Sequence, residues 1–201
     1  MNEPTVFLVD DDAAVRDSLS LLLSLKRLRT QVFAGAEQFL ATYSPEMCGC
    51  LLTDLRMPGM SGLELQIELR ARGVQLPIVV LTAHGDVSTA RTALKNGAVD
   101  FLEKPVDDEV LVDVLRNAIG IDAQCRAAAS EQRKKLSMLE RLTPREREVF
   151  DLLANGLQNR DIARQLGISP RTVEVYKARV MEKLQSRSAA DLVKLSLSVS
   201  S

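Results

Sequence analysis

The sequence predicts two fold classes in series: an α/β part built on a five-stranded, doubly wound parallel sheet, then an all-α part of four helices. Three observations lead there. Across residues 5–120, short apolar runs alternate with stretches of helical apolar spacing, the pattern of repeated βαβ units. After residue 141 the apolar runs give way to four helix signals joined by short turns. Charge divides at the same place. Residues 1–121 hold 11 Lys and Arg against 17 Asp and Glu, a net of −6, whereas residues 122–201 hold 15 against 10, a net of +5. An acidic part suggests cation binding and a basic part a polyanionic partner, although chance variation between two surfaces gives the same split. The expected domains are therefore 1–121, a helical linker 122–141, and 142–201.

Each strand of the first part is followed by a helix. Thr5-Val6-Phe7-Leu8-Val9 is a strand ending in Asp10-Asp11-Asp12, and Val15, Leu19, Leu22 and Leu23 mark the helix after it. Val32-Phe33 predicts a second strand and Ala36 to Tyr43 a second helix. Cys50 to Asp54 is the third strand, bounded by the Pro58-Gly59-Met60-Ser61-Gly62 cluster, with a helix from about Gly62 to Ala71. Ile78 to Thr82 is the fourth strand and Asp86 to Asn96 its helix, ended by Gly97. Val99 to Leu102 is the fifth, closed by Lys104-Pro105, and Asp107 opens the last helix. Near-continuous apolar strands fit a parallel sheet covered on both faces.

Composition narrows the class. Hydrophobic residues make up 46% and charged residues 26%, enough for an ordered aliphatic core. No apolar run reaches the length of a membrane span, and Met1-Asn2-Glu3-Pro4 lacks the regions of a signal peptide, so a cytoplasmic protein without a membrane partner is expected. Three cysteines fit reduced thiols. Cys48-Gly49-Cys50 hints at a metal pair, but the chain has one His and no second pair, so small buried or loop thiols are expected.

In open parallel sheets, chemistry collects beyond the carboxyl ends of the strands. The residues there are Asp10 and Asp11, Asp54, Thr82 and Lys104. Three carboxylates held close need compensation, and a hard divalent cation such as Mg²⁺ supplies it. Lys104 adds a positive charge able to hold an anion. This equipment suits phosphoryl transfer, with Asp54 as the nucleophile that becomes an aspartyl-phosphate. Taken singly, the Asp10–Asp12 run reads equally as a helix N-terminal cluster, and Thr82 as a buried strand residue.

Asp10-Asp11, Asp54 within Thr-Asp-Leu-Arg-Met-Pro, Thr82 within Leu-Thr-Ala-His-Gly-Asp, and Lys104-Pro105 together resemble the receiver domain of bacterial two-component response regulators, a flavodoxin-like fold, across residues 5–120. The resemblance implies that Asp54 accepts phosphate from a sensor histidine kinase. It implies that Asp10, Asp11, Asp54 and the Arg56 carbonyl hold Mg²⁺, and that the Lys104–Pro105 bond is cis. It also implies a switch in which Thr82 turns to the phosphate and Phe101 fills the vacated space. His84 reads as a loop residue able at most to influence phosphate lifetime.

Residues 120–141 are rich in helix formers, so the helix from Asp107 can run on toward Leu139. Ile119, Ile121, Leu136 and Leu139 are too few for a coiled coil, and a solvated, partly mobile connector is expected. Thr143-Pro144-Arg145-Glu146 then starts a helix with an N-cap, an early Pro and a capping box, stopped by Asn155-Gly156. Asn159 is expected to cap a second helix to Leu166. Gly167-Ile168 is a tight turn, Ser169-Pro170 caps a third helix reaching about Leu184, and Ala189 to Leu197 is a fourth.

Helix, Gly turn, helix is the DNA-binding helix-turn-helix pattern, with the third helix as the reader; a plain four-helix bundle is its bland counterpart. Val173, Val180 and Leu184 are expected in the core. Glu174, Val175 and Ala178 are candidates for base edges, and Arg160, Ser169, Arg171, Lys177, Arg179 and Lys183 for phosphates, with Thr172 beside them. Leu142-Thr143-Pro144-Arg145-Glu146 and the run from Asn159 to Val173 resemble the LuxR-type tetrahelical domain, over residues 142–197. The whole chain is thus similar to FixJ-like response regulators of the NarL class. The resemblance implies a transcription regulator rather than an enzyme, a homodimer when phosphorylated, double-stranded promoter DNA as partner, and RNA polymerase as a further one. It places Ala189, Val193 and Leu197 at a contact between DNA-binding domains. Two other classes compete: an aspartyl-nucleophile phosphatase, disfavoured by Arg56 two residues after Asp54, and a ligand-sensing LuxR-type regulator, which needs a roomy apolar pocket.

Overall fold

The computed structural model describes residues 3–83 and 87–199. Thr5–Val9 (β1), Arg29–Phe33 (β2), Gly49–Asp54 (β3), Ile78–Thr82 (β4) and Asp100–Glu103 (β5) form one parallel sheet in the order β2-β1-β3-β4-β5. The central strands are buried along their whole length, as their unbroken apolar runs require. Ala13–Leu25 (α1), Ala36–Thr42 (α2), Gly62–Ala71 (α3), Val87–Lys95 (α4) and Asp108–Glu140 (α5) connect and follow them. Leu23 of α1 and Leu111, Val112 and Leu115 of α5 cover one face of the sheet. Phe39 of α2, Leu65 and Leu69 of α3, and Ala93 of α4 cover the other. The Leu, Val and Phe side chains among these each contribute about 1.5–3 kcal/mol by leaving water.

The sheet is the predicted one, with longer β2 and a later β5. The expected start of α4 at Asp86 lies outside the described residues, as do His84 and Gly85. Asp107 sits one position before α5, and its carboxylate accepts from the Glu109 and Val110 amides.

The connector is helical: α5 is one helix of 33 residues that runs through it. Past Gly120 nothing breaks it, and Asp122–Arg126 and Glu131–Lys135 support it at i,i+4 spacing. The chain divides into two compact units, residues 1–126 and 127–201, and the division falls inside this helix.

In the second unit, Pro144–Ala154 (α6), Asn159–Leu166 (α7), Pro170–Lys183 (α8) and Ala189–Val199 (α9) enclose a core of Val149, Phe150, Leu153, Ile162, Val173, Val180 and Leu192, joined by Leu139 of α5. Thr143 and Glu146 form the predicted capping box. The cap of α7 is corrected by one residue. Gln158 is the N-cap, with no side-chain hydrogen bond, and Asn159 is already helical. Asn is a strongly preferred cap residue, but the burial of Ile162 and Ala163, which sets where this helix sits, outweighs that preference here. Gly167 ends α7 in the left-handed conformation, φ 66°, which lets α8 start three residues later.

Candidate functional site

Asp54 is the last residue of β3, and its side chain is 10% exposed. Its Oδ1 accepts from Lys104 Nζ at 2.8 Å and its Oδ2 from the Arg56 amide at 2.7 Å. Asp10, one residue past β1, is buried. Its Oδ2 accepts from the same Lys104 Nζ at 2.8 Å and its Oδ1 from the Asp12 amide at 2.9 Å. One ammonium thus joins two carboxylates from different strand ends. Every oxygen of the pair carries a hydrogen bond, as buried carboxylates require. Burial pulls Lys104 down, but the hydrogen bonds and charges of Asp10 and Asp54 outweigh it, so its pKa is raised above the ordinary lysine value.

The surroundings fix these groups in place. Arg16 Nη1 donates to the Asp10 carbonyl at 2.8 Å, and Asp12 caps α1 by accepting from the Ala14 and Val15 amides. The Lys104 amide donates to the Thr82 carbonyl at 2.7 Å, so the two residues share a backbone bond. Thr82 is buried at the end of β4, and the Lys104–Pro105 bond is cis. A Cβ on Gly62 would lie 2.1 Å from the Asp54 carbonyl oxygen, so only glycine lets α3 start this close to the end of β3.

Of the sequence-derived residues, Asp10, Asp54, Thr82 and Lys104 gather at one rim. Phe101 is half-buried on β5, opposite Val80, and packs against the α2–α4 side of the core. Asp11 is exposed, because the strand has ended before it. Among the described residues no three His, Cys, Asp or Glu side chains already stand close enough to grip a metal. The donor set nevertheless suits a hard cation. Three carboxylates against one ammonium leave two negative charges, and a cation already bridges two of the acids. Cys50 takes no part: burial, with the Asp122 charge adding to it, pushes its thiol up to about 12.

On the second unit, Arg160, Arg171, Glu174, Val175, Ala178 and Arg179 are exposed, and Thr172 and Lys177 are half-buried. Val173, Val180 and Leu184 are buried as expected. Two of the candidate phosphate ligands have inward duties. The Ser169 hydroxyl oxygen caps α8 by accepting from the Thr172 amide. Lys183 Nζ donates to Glu146 Oε2 at 2.6 Å and to the Arg141 carbonyl. That bond, with the Thr143 amide, holds the buried Glu146 carboxyl below its ordinary value. Sequence reasoning missed this pair, since nothing in residue spacing brings positions 146 and 183 together. It also missed the Asp122–Arg126 pair, although i,i+4 spacing was there to be read.

Residues 6–116 match the family model of the response regulator receiver domain, and residues 140–196 that of the LuxR family of bacterial regulatory proteins. The chain is 45% identical to the transcriptional regulatory protein FixJ of Azorhizobium caulinodans, over 96% of this chain and 91% of that protein. It is 41% identical to FixJ of Rhizobium meliloti, over 98% and 97%. Among solved structures, the response regulator StyR superposes with a TM-score of 0.90 at 42% identity, covering 98% of this chain and 99% of that one.

Proposed function

This chain belongs to the FixJ-like response regulators, transcriptional regulators that join a receiver domain to a LuxR-type DNA-binding domain, and from that membership we propose that phosphorylation of Asp54 controls how tightly it holds promoter DNA. The observation that carries the reading is the Asp54 carboxylate at a strand end, linked through Lys104 to Asp10. A sensor histidine kinase is the donor. An Asp54 oxygen forms the new bond to phosphorus as the bond to the kinase's histidine nitrogen breaks, and the nitrogen keeps the electron pair. Lys104 turns from the two acids to the phosphoryl oxygens, and the Thr82 hydroxyl binds another. Asp10, Asp11, Asp54 and the Arg56 carbonyl would hold Mg²⁺, which supplies charge neutralisation for the transferred group. As Thr82 turns, Phe101 moves into the space beneath it.

The modified receiver forms a homodimer, and two DNA-binding units then meet two half-sites. Phosphate can shift this balance only by its greater affinity for the active state. Arg160, Arg171, Lys177 and Arg179 meet phosphates; Glu174, Val175 and Ala178 face base edges from α8, with Thr172 at its start. Ser169 and Lys183 serve there while also holding the fold. RNA polymerase is the downstream partner. No helix among the described residues is long and apolar enough to cross a membrane.

The test is Asp54→Asn with acetyl phosphate and Mg²⁺. Wild type should take up label, gain dimer mass and bind a selected promoter duplex more tightly, and the variant should do none of these. Labelling of the variant would move the acceptor elsewhere. A wild-type chain that labels without gaining DNA affinity would remove the control function.

A further inference from the structure

Strand β3 carries the acceptor at its carboxyl end, and its other end is held by α5. The Gly49 amide, at the start of the strand, donates to Asp122 Oδ2 at 2.8 Å. Asp122 is 4% exposed, and its carboxylate also receives Arg126 Nε at 2.9 and 2.8 Å. The same guanidinium donates through Nη1 to the Pro45 carbonyl at 3.3 Å and through Nη2 to the Met47 carbonyl. Arg126 is the last residue of the first compact unit. A fork with several donors thus ties the departing helix to the segment that feeds β3.

Stability alone gives little reason for such a pair. Asp122 is buried but the Arg126 side chain is 38% exposed, and a half-exposed ion pair contributes little net stability, so its directional contacts matter more for fixing one geometry. Leu111, Leu115 and Ala118 already bury α5 against the sheet. They do so through non-directional contacts, which tolerate slip and rotation of the helix. The Asp122–Arg126 contacts do not, because each donor must meet its acceptor within hydrogen-bond reach. β3 itself is buried throughout and six residues long, so about 17 Å of stiff strand separates Asp54 from Gly49.

We propose that Asp122 and Arg126 are positioning residues that couple the acceptor strand to the helix leaving the receiver, so that the state of Asp54 reaches the DNA-binding unit only while this clamp is closed. The proposal rests on the reading that Asp54 phosphorylation governs DNA binding. The clamp lies at the opposite end of β3 from Asp54. Its loss leaves phosphoryl acceptance and the bare DNA contacts intact and lowers the coupling between them.

The test uses the full chain with Arg126→Met, which keeps the aliphatic stem, and Arg126→Lys, which keeps the charge but not the fork. Asp54 labelling by acetyl phosphate with Mg²⁺ is measured first. Affinity for a duplex selected by the phosphorylated wild-type chain from a random pool is then measured with and without phosphorylation. Both variants should label at the wild-type rate and bind the duplex equally in the unmodified state. The gain in affinity on phosphorylation should shrink about fivefold or more in Arg126→Met, the scale of a coupling energy between sites, and less in Arg126→Lys. Amide exchange at Gly49 should quicken in Arg126→Met. A folded, labelled Arg126→Met with the full wild-type gain overturns the clamp alone. A wild-type chain with no gain overturns the underlying reading and the clamp with it. If Arg126→Met fails to fold, the full gain in Arg126→Lys overturns the clamp and a reduced gain supports it.

Discussion

Replacing Lys104 by Met removes the one cation between Asp10 and Asp54 while keeping an unbranched apolar stem. The ammonium makes two hydrogen bonds to ionised partners, both 2.8 Å, from a side chain that is only 22% exposed. Such bonds contribute about 1.5–3 kcal/mol each, and burying the ammonium costs part of that back. Removing one partner from a buried ionic group typically costs about 3–5 kcal/mol. A net loss of about 3 kcal/mol is therefore expected for the first unit. With a urea slope of about 2 kcal/mol/M, its unfolding midpoint should fall by about 1.5 M at neutral pH in EDTA, followed by circular dichroism. Mg²⁺ should restore part of the loss, since the acids then regain a counter-charge. The pH dependence has a definite sign. The folded-state pKa of Lys104 is raised, so its contribution is complete below the ordinary value of about 10.4 and disappears as pH climbs through the higher folded value. The gap between wild type and variant should stay constant from neutral pH to that range and close above it. A variant as stable as wild type at neutral pH in EDTA would refute the account.

Glu146→Gln keeps the shape of the capping box but removes the charge facing Lys183, and should lower the stability of the helical unit by about 1–3 kcal/mol. Because the folded value of Glu146 is depressed, this contribution is present above about pH 4.3 and is lost on acidification, so wild type and Glu146→Gln should converge in acid unfolding curves. Gly62→Ala forces a Cβ to within 2.1 Å of the Asp54 carbonyl oxygen, and should cost about 3 kcal/mol and slow phosphoryl uptake together; unchanged labelling would show that α3 yields freely. Arg171→Ala should weaken binding to all duplexes alike and reduce the salt slope by about 0.9 per lost phosphate contact. Glu174→Ala should instead relax preference at one base position, by about 1–3 kcal/mol, as measured by selection from random duplexes.

The sheet was readable because its strands are short, apolar and punctuated, and period and length carry that information. The rim was readable for a related reason: once Asp54 and Thr82 are strand ends, parallel topology brings them together without further knowledge. Lys104 was readable as a charge able to hold an anion, but not as the partner of Asp10 and Asp54, a buried acid pair that takes the cation the chain delivers. Residue patterns do not state such preferences between partners. The continuous α5 was half readable, since helix formers mark where a helix can run but not whether anything interrupts it. The Glu146–Lys183 pair depends on how α6 and α8 cross, and no local pattern encodes that crossing.

The borders of the sheet have a practical consequence. Among the described residues, β2 and β5 each leave one side of their backbone without a neighbouring strand, and such a row invites a foreign strand to dock. β5 offers only four residues, and β2 sets Arg29 and Gln31 toward water, with Arg29 paired to Glu3. Short length on one side and polarity on the other should keep concentrated solutions clear. Exchanging Arg29 and Gln31 for valines would convert the β2 border into a seed for filaments, visible as turbidity and thioflavin binding while the secondary structure of the monomer is unchanged.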